Sequence, residues 1–246
     1  MNKIKISSTF AAVAALMAVS CSQEPVGVAE TETRREVRVA LSLGDTRAIG
    51  HQYRLDEYLG MGNGAEEVTL ISGDAEYAYV SDGNGMLNGK DGNVLCFPAD
   101  GGPLYGIEIY WPAGATEPAN AAEDQSDRVT FMKEDRLQGA VTDIQPSAWI
   151  PVRLHHARAR ITFTLTGEFA GKRIEELTVG GYKAYCDPEL NDAQLILDPV
   201  KDLEAIRANT RCIVGIEGVA EPVEYFITMD LNNRALAPGR NLTINL

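Results

Sequence analysis

Apolar residues recur at every second position along most of this chain, and that period admits little besides β-strand. Between Arg158 and Thr166, Ala159, Ile161, Phe163 and Leu165 alternate with Arg158, Arg160, Thr162, Thr164 and Thr166, as on a strand with one buried and one wet face. The threonines add a β-branched preference for extended backbone. Val37, Val39, Leu41 and Leu43 alternate in the same way with Glu36, Arg38, Ala40 and Ser42. Further strands are predicted over Glu67–Ile71, Tyr77–Ser81, Asn93–Phe97, Leu104–Trp111, Ala148–Leu154, Glu175–Gly180, Gln194–Leu197, Cys212–Ile216, Val223–Leu231 and Asn241–Leu246. Turn chemistry separates them at short intervals: Asp82-Gly83-Asn84-Gly85, Asn88-Gly89, Asp91-Gly92, Asp100-Gly101-Gly102-Pro103, Asn232-Asn233 and Pro238-Gly239. Only Gln52–Leu59 and Asp202–Ala208 read as helical, and both are short. Many short strands with few helices predict an all-β chain, an antiparallel β-sandwich or barrel. The Greek-key sandwich is the expectation carried forward.

The N-terminus has a different character. Lys3 and Lys5 precede an apolar run of small residues from Phe10 to Val19, too short to span hydrocarbon but of the right length for a signal-peptide core. It ends in Ala18-Val19-Ser20-Cys21, which resembles a bacterial lipoprotein cleavage site, although Ala18 stands where leucine is usual. The resemblance implies removal of residues 1–20 and acylation of Cys21, hence a lipid anchor. Read otherwise, the segment is an ordinary secretory signal followed by an incidental cysteine. From Ser22 to about Arg35 no hydrophobic period appears, and residues 21–35 read as a solvated tether. Residues 36–246 are expected to form one domain, since no linker-like stretch interrupts them.

Composition narrows the function. Twenty-two Lys and Arg against 35 Asp and Glu give a formal charge of −13 with no basic block. Nucleic-acid affinity rests on cations that neutralise phosphate, so that partner is excluded, and an anionic membrane surface would repel the chain. Cys96, Cys186 and Cys212 are an odd number without a CxxC spacing. Each has apolar or aromatic neighbours, which suits buried free thiols; a single bridge between two of them is the other possibility.

Catalytic and metal-binding patterns are wanting. His155 and His156 are adjacent and face opposite sides of a strand, and His51 has no patterned companion. No GxSxG elbow, HExxH helix or Gly-rich phosphate loop occurs. Asp82 and Asn84 could open a calcium loop, but Met86 and Leu87 occupy the fifth and sixth places and Asn93 the last, where oxygen ligands and glycine are needed. The pairs Glu66-Glu67, Glu123-Asp124 and Glu175-Glu176 read as solvated carboxylates. The chain is therefore read as non-enzymatic, without cofactor or metal. Tyr105, Tyr110, Trp111 and Trp149 could stack on sugars, which makes an outer-membrane glycan-binding lipoprotein the rival reading. Their apolar neighbours argue for core packing instead.

Several segments in order resemble the fimbrillin-like proteins, subunits and accessory proteins of type V pili in Bacteroidetes. Leu154-His155-His156-Ala157-Arg158-Ala159-Arg160-Ile161 is similar to their "HALAK"-type strand, with His156, Ala157, Ala159 and Arg160 on the pattern. Gly44-Asp45-Thr46-Arg47-Ala48, Phe97-Pro98-Ala99-Asp100-Gly101, Ile107–Pro112 and Glu134-Asp135-Arg136-Leu137 follow the same likeness. The closing segment from Leu236 to Thr243 is similar to the last turn and strand of the family's N-terminal domain, of transthyretin-like type. The resemblance implies a lipoprotein of the cell outer membrane and fimbrium that assembles by strand exchange with other pilus subunits and engages host or bacterial surface ligands. It also implies cleavage by an arginine-specific protease between Arg47 and Ala48, loss of the first strand, and a slot where Val37, Val39, Leu41 and Leu43 had been. That exchangeable strand is expected at a sheet edge, where unpaired N–H and C=O groups accept a new strand. No second C-terminal β unit is expected before Leu246, which favours an accessory, tip or anchor component over a main stalk subunit.

Overall fold

The computed structural model describes residues 35–44, 54–59, 66–83, 85–116, 119–202, 206–207, 209–228 and 236–246. The all-β expectation holds, and the helical content is slight. The order begins with β1 (Val39–Leu43), α1 (Leu55–Leu59), β2 (Glu67–Ser72), β3 (Ala75–Ser81), β4 (Met86–Gly89) and β5 (Leu104–Trp111). It continues through α2 (Arg128–Glu134), β6 (Leu137–Ile144), β7 (Ile150–His156) and β8 (Ala159–Thr164). After these come β9 (Ile174–Val179), β10 (Tyr182–Lys183), β11 (Tyr185–Cys186), β12 (Ala193–Leu197), β13 (Thr210–Ile216), β14 (Val223–Ile227) and β15 (Asn241–Asn245).

The first seven strands do not form the expected sandwich. They close into a barrel in the order β1-β4-β3-β2-β5-β6-β7, so that β7 meets β1 again. Nor is the pairing wholly antiparallel: β1 runs parallel to β7, and β15 runs parallel to β8. The inward residues of the barrel, among them Val39, Leu70, Leu87, Ile107, Ile109 and Leu154, share one cluster with Tyr58 and Leu59 of α1 and with Phe131 and Met132 of α2. Helix α2 starts where the Asp127 carboxylate accepts a bond from the Thr130 N–H at 2.9 Å, an N-cap that satisfies one of the free amides of the first turn. At seven residues α2 is too short to show a helical period, which is why the hydrophobic pattern missed it.

A second β unit follows within the same compact body, Arg34–Leu246. Two four-stranded sheets, β10-β9-β13-β14 and β11-β12-β8-β15, contribute Ile161, Phe163, Leu177, Val179, Leu195 and Val214 to a separate hydrophobic cluster. The segment from Leu236 to Thr243 thus ends in β15, which pairs with β8 in this second unit and does not complete the first. The predicted strand Asn93–Phe97 reduces to one antiparallel bridge, Glu36 to Cys96.

β8 also corrects the idea of a wet face. It pairs with β12 on one side and β15 on the other. Arg158, Arg160 and Thr162 are buried on the face assigned to solvent: the end of α2 and the residues before it hold the two arginines, and the Thr162 hydroxyl donates to Asn241 Oδ1 of β15 at 3.0 Å. The three body cysteines are free thiols, Cys212 fully buried and Cys96 and Cys186 partly so.

Candidate functional site

β1 and the residues just before it are the segment singled out as exchangeable. Val37 and Val39 are fully buried and Leu41 nearly so, while Leu43 packs against the same cluster half-buried. Each buried side chain contributes roughly 1.5–3 kcal/mol relative to exposure, so the strand is held mainly by its apolar face. The alternation read from the sequence therefore describes the inward and outward sides correctly.

Its position differs from the expectation. β1 is not an edge strand. Val39 to Leu43 register in parallel with Ile150 to Leu154 of β7, and Val39 and Ala40 lie antiparallel to Leu87 and Met86 of β4. The reason is closure: a sheet that curls into a barrel leaves no edge, and β1 occupies the seam. The pairing is lopsided, five registered positions toward β7 against two toward β4. Upstream, Val37 donates to the Leu95 carbonyl at 2.8 Å and Phe97 to the Arg35 carbonyl at 2.9 Å. Withdrawal of this one strand would open the seam and leave two unpaired strand edges, β4 and β7, flanking an apolar stripe.

Three contacts define the seam in detail. The Tyr79 hydroxyl donates to the Val37 carbonyl at 3.1 Å and accepts from the Leu95 N–H at 3.2 Å. Burial pushes that hydroxyl up to about 12, so it stays a donor across the physiological range. At the other end Gly44 donates to the Leu154 carbonyl at 2.7 Å. Between them the Leu41 N–H reaches the Gly85 carbonyl at 2.7 Å, where Gly85 holds φ at +93°.

The remaining sequence-based residues divide. Cys21, Arg47 and Ala48 lie outside the described residues, as do the signal segment, all of the tether but Arg35, and His51. His155 and His156 do face opposite ways: His155 lies beside Gly44, and His156 Nδ1 is 2.7 Å from Asp135 Oδ1. The sugar-stacking set does not assemble. Trp111 is fully buried with its ring edge-on to Tyr58, Tyr110 donates to Glu108 at 2.5 Å, and only Tyr105 and Trp149 of the four are exposed. Arg38 lies over the Trp149 ring at 5.7 Å.

Sequence reasoning missed a buried polar cluster altogether. Asp135, at the end of α2, accepts from the Tyr58 hydroxyl at 2.7 Å and from Arg160 at 2.9 Å, besides its contact with His156. Burial would raise its carboxyl, but the hydrogen bond and charge of His156 and the charge of Arg160 outweigh it and hold the group at about 2. The sequence carried only an indirect sign, two arginines interrupting an apolar strand at Arg158 and Arg160. The first of these is buried against Glu134 and the carbonyls of Ala119 and Asn120. The cluster joins residues of α1, α2, β7 and β8 and so ties the barrel to the second β unit.

No protein-family model matches the chain, and no curated protein matches its sequence. Solved structures do. A candidate cell adhesion protein from Bacteroides ovatus superposes with a TM-score of 0.56 at 9% identity over 86% of this chain and 92% of that one. One from Bacteroides uniformis gives 0.53 at 14% identity, over 86% and 93%. A fimbrial protein from Bacteroides ovatus gives 0.52 at 12% identity, over 87% of this chain and 49% of that one, so the chain spans about half its length. The fold is shared with fimbrial and cell-adhesion proteins of Bacteroides, as the sequence motifs implied.

Proposed function

We propose that this chain is a fimbrillin-like lipoprotein of the outer cell surface, a non-catalytic structural or adhesive component of a type V pilus. In this reading residues 1–20 direct export and residues 21–35 tether the folded part to lipid on Cys21. An arginine-specific cut between Arg47 and Ala48 frees the strand carrying Val37, Val39, Leu41 and Leu43, and a strand from a neighbouring subunit takes its place. The two four-stranded sheets serve as a fimbrillin-type sandwich, and the chain is an accessory, tip or anchor component of the pilus.

The observation that carries the reading is the place of β1 at the barrel seam, paired with β7 and β4. An incoming strand in the seam would regain two ladders of backbone hydrogen bonds and cover the apolar stripe, where an edge would offer one ladder. N-terminal sequencing of the protein recovered from the cell surface tests it. A start at acylated Cys21 marks the anchored, uncut form, and a start at Ala48 marks the processed one. Assembled filaments whose subunits all begin at Cys21 would refute processing.

A further inference from the structure

The native occupant of the seam touches its walls at two points where chemistry, and not only apolar area, decides what fits. At the C-terminal end, a Cβ built on Gly44 would stand 2.6 Å from His155 Nδ1, 2.7 Å from His155 Cε1 and 2.9 Å from the Leu154 carbonyl oxygen. The last of these is backbone and cannot swing aside, because it accepts the Gly44 N–H in the β1–β7 ladder. Gly44 does not need positive φ; the position demands glycine for space alone. At the N-terminal end the buried Tyr79 hydroxyl needs an acceptor, which is the carbonyl of Val37, since its oxygen already accepts from Leu95. An occupant that stops short of that carbonyl leaves a buried donor without a partner.

From these contacts, and resting on the strand-exchange reading above, we infer that the seam selects its replacement strand by a glycine at the place of Gly44 and a backbone carbonyl at the place of Val37. The partner is thus a protein segment of at least eight residues with apolar side chains at the places of Val37, Val39, Leu41 and Leu43, closed by glycine. It runs parallel to β7. A reversed strand would put its glycine beside Tyr79 and a side chain against Leu154. The outward places are held here by Arg38, over the Trp149 ring, and by the small residues Ala40 and Ser42, and the selection leaves them free.

The test uses the full chain with a site-specific protease sequence placed within residues 45–53, cut after folding and freed of its N-terminal piece by mild denaturant and refolding. Labelled peptides are then titrated: Val37–Gly44, the same peptide with Gly44→Val, and the reversed sequence. The native peptide is expected to bind, and the other two to bind at least about tenfold more weakly, the scale of overpacking a close contact. His155→Ala in the protein should recover part of the loss for a Gly44→Ala peptide, and not all of it, because the Leu154 carbonyl remains. Tyr79→Phe should weaken the native peptide while the refolded chain keeps its circular dichroism. Equal binding of the Gly44→Val and native peptides would overturn the selection rule and leave strand exchange standing. A refolded, cut chain that binds no peptide, the native one included, would overturn the strand-exchange reading itself.

Discussion

Asp135 and Arg160 stand 2.9 Å apart, both buried, one at the end of the helix that caps the barrel and the other near the start of a strand of the second unit. His156 and Tyr58 complete the carboxylate's partners, and the Arg160 guanidinium also lies 5.9 Å over the Phe131 ring. Four elements thus meet on one charge, and the consequences are measurable.

Asp135→Asn removes that charge while keeping the shape and so breaks the buried ion pair with the Arg160 guanidinium. Breaking one side of a buried ion pair costs about 3–5 kcal/mol. The urea midpoint should fall accordingly, and a change under about 1 kcal/mol would show that the cluster is incidental.

The same carboxylate sets an acid limit. Its folded value of about 2 lies below the value of about 3.9 expected for an unfolded aspartate. A depressed folded value means that the stabilisation is complete above the unfolded value and drains away as pH falls from about 4 through about 2. Unfolding free energies over that interval should drop more steeply for the native chain than for Asp135→Asn.

At the seam, Leu41→Ala deletes a nearly buried side chain from β1 and should cost about 2–5 kcal/mol. Amide hydrogen exchange localises the effect: Val39 to Leu43 should lose protection ahead of β8 and β12. Uniform loss across both units would argue that β1 cannot open separately from the rest.

Arg47→Ala is expected to leave the fold intact and to stop incorporation into filaments. The readouts are thermal unfolding and the filament fraction of surface preparations. Unchanged incorporation would eliminate cleavage after Arg47.

Cys212 is fully buried, and burial raises its thiol to about 11. The thiolate is the reactive form, so iodoacetamide at pH 8 should leave Cys212 unmodified in the folded chain and alkylate it in urea. Mass spectrometry of tryptic peptides distinguishes the two.

Much of the architecture could be read along the chain, and the failures are instructive. Leu104–Trp111 appears in the structure with the boundaries its alternation predicted, and the inward set of β1 is the set that alternates. Asn93–Phe97 has the same signature but makes one bridge: Leu95 and Phe97 bond to Val37 and Arg35 on either side of it, while the Leu95 N–H turns to the Tyr79 hydroxyl and the Asn93 N–H to the Lys90 carbonyl. Arg158 and Arg160 alternate as a solvent face would, yet the end of α2 covers them. Alternation separates two faces without saying what lies over either one. α2 itself was legible only through Asp127, a single capping residue in a segment too brief for periodicity.

From sequence alone came most of the strands and their apolar faces, since a two-residue period is a property of a few adjacent positions; β6 was not read from it, nor was β4, which holds the Asn88-Gly89 pair that reads as a turn. Tertiary structure decided that β1 closes a barrel instead of lying at an edge, that a second core follows β7, and that Asp135, His156 and Arg160 share a buried charge. Those outcomes depend on which distant segments meet, such as Val39 with both Leu87 and Ile150, and hydrogen-bond closure and burial are settled only when every partner is in place.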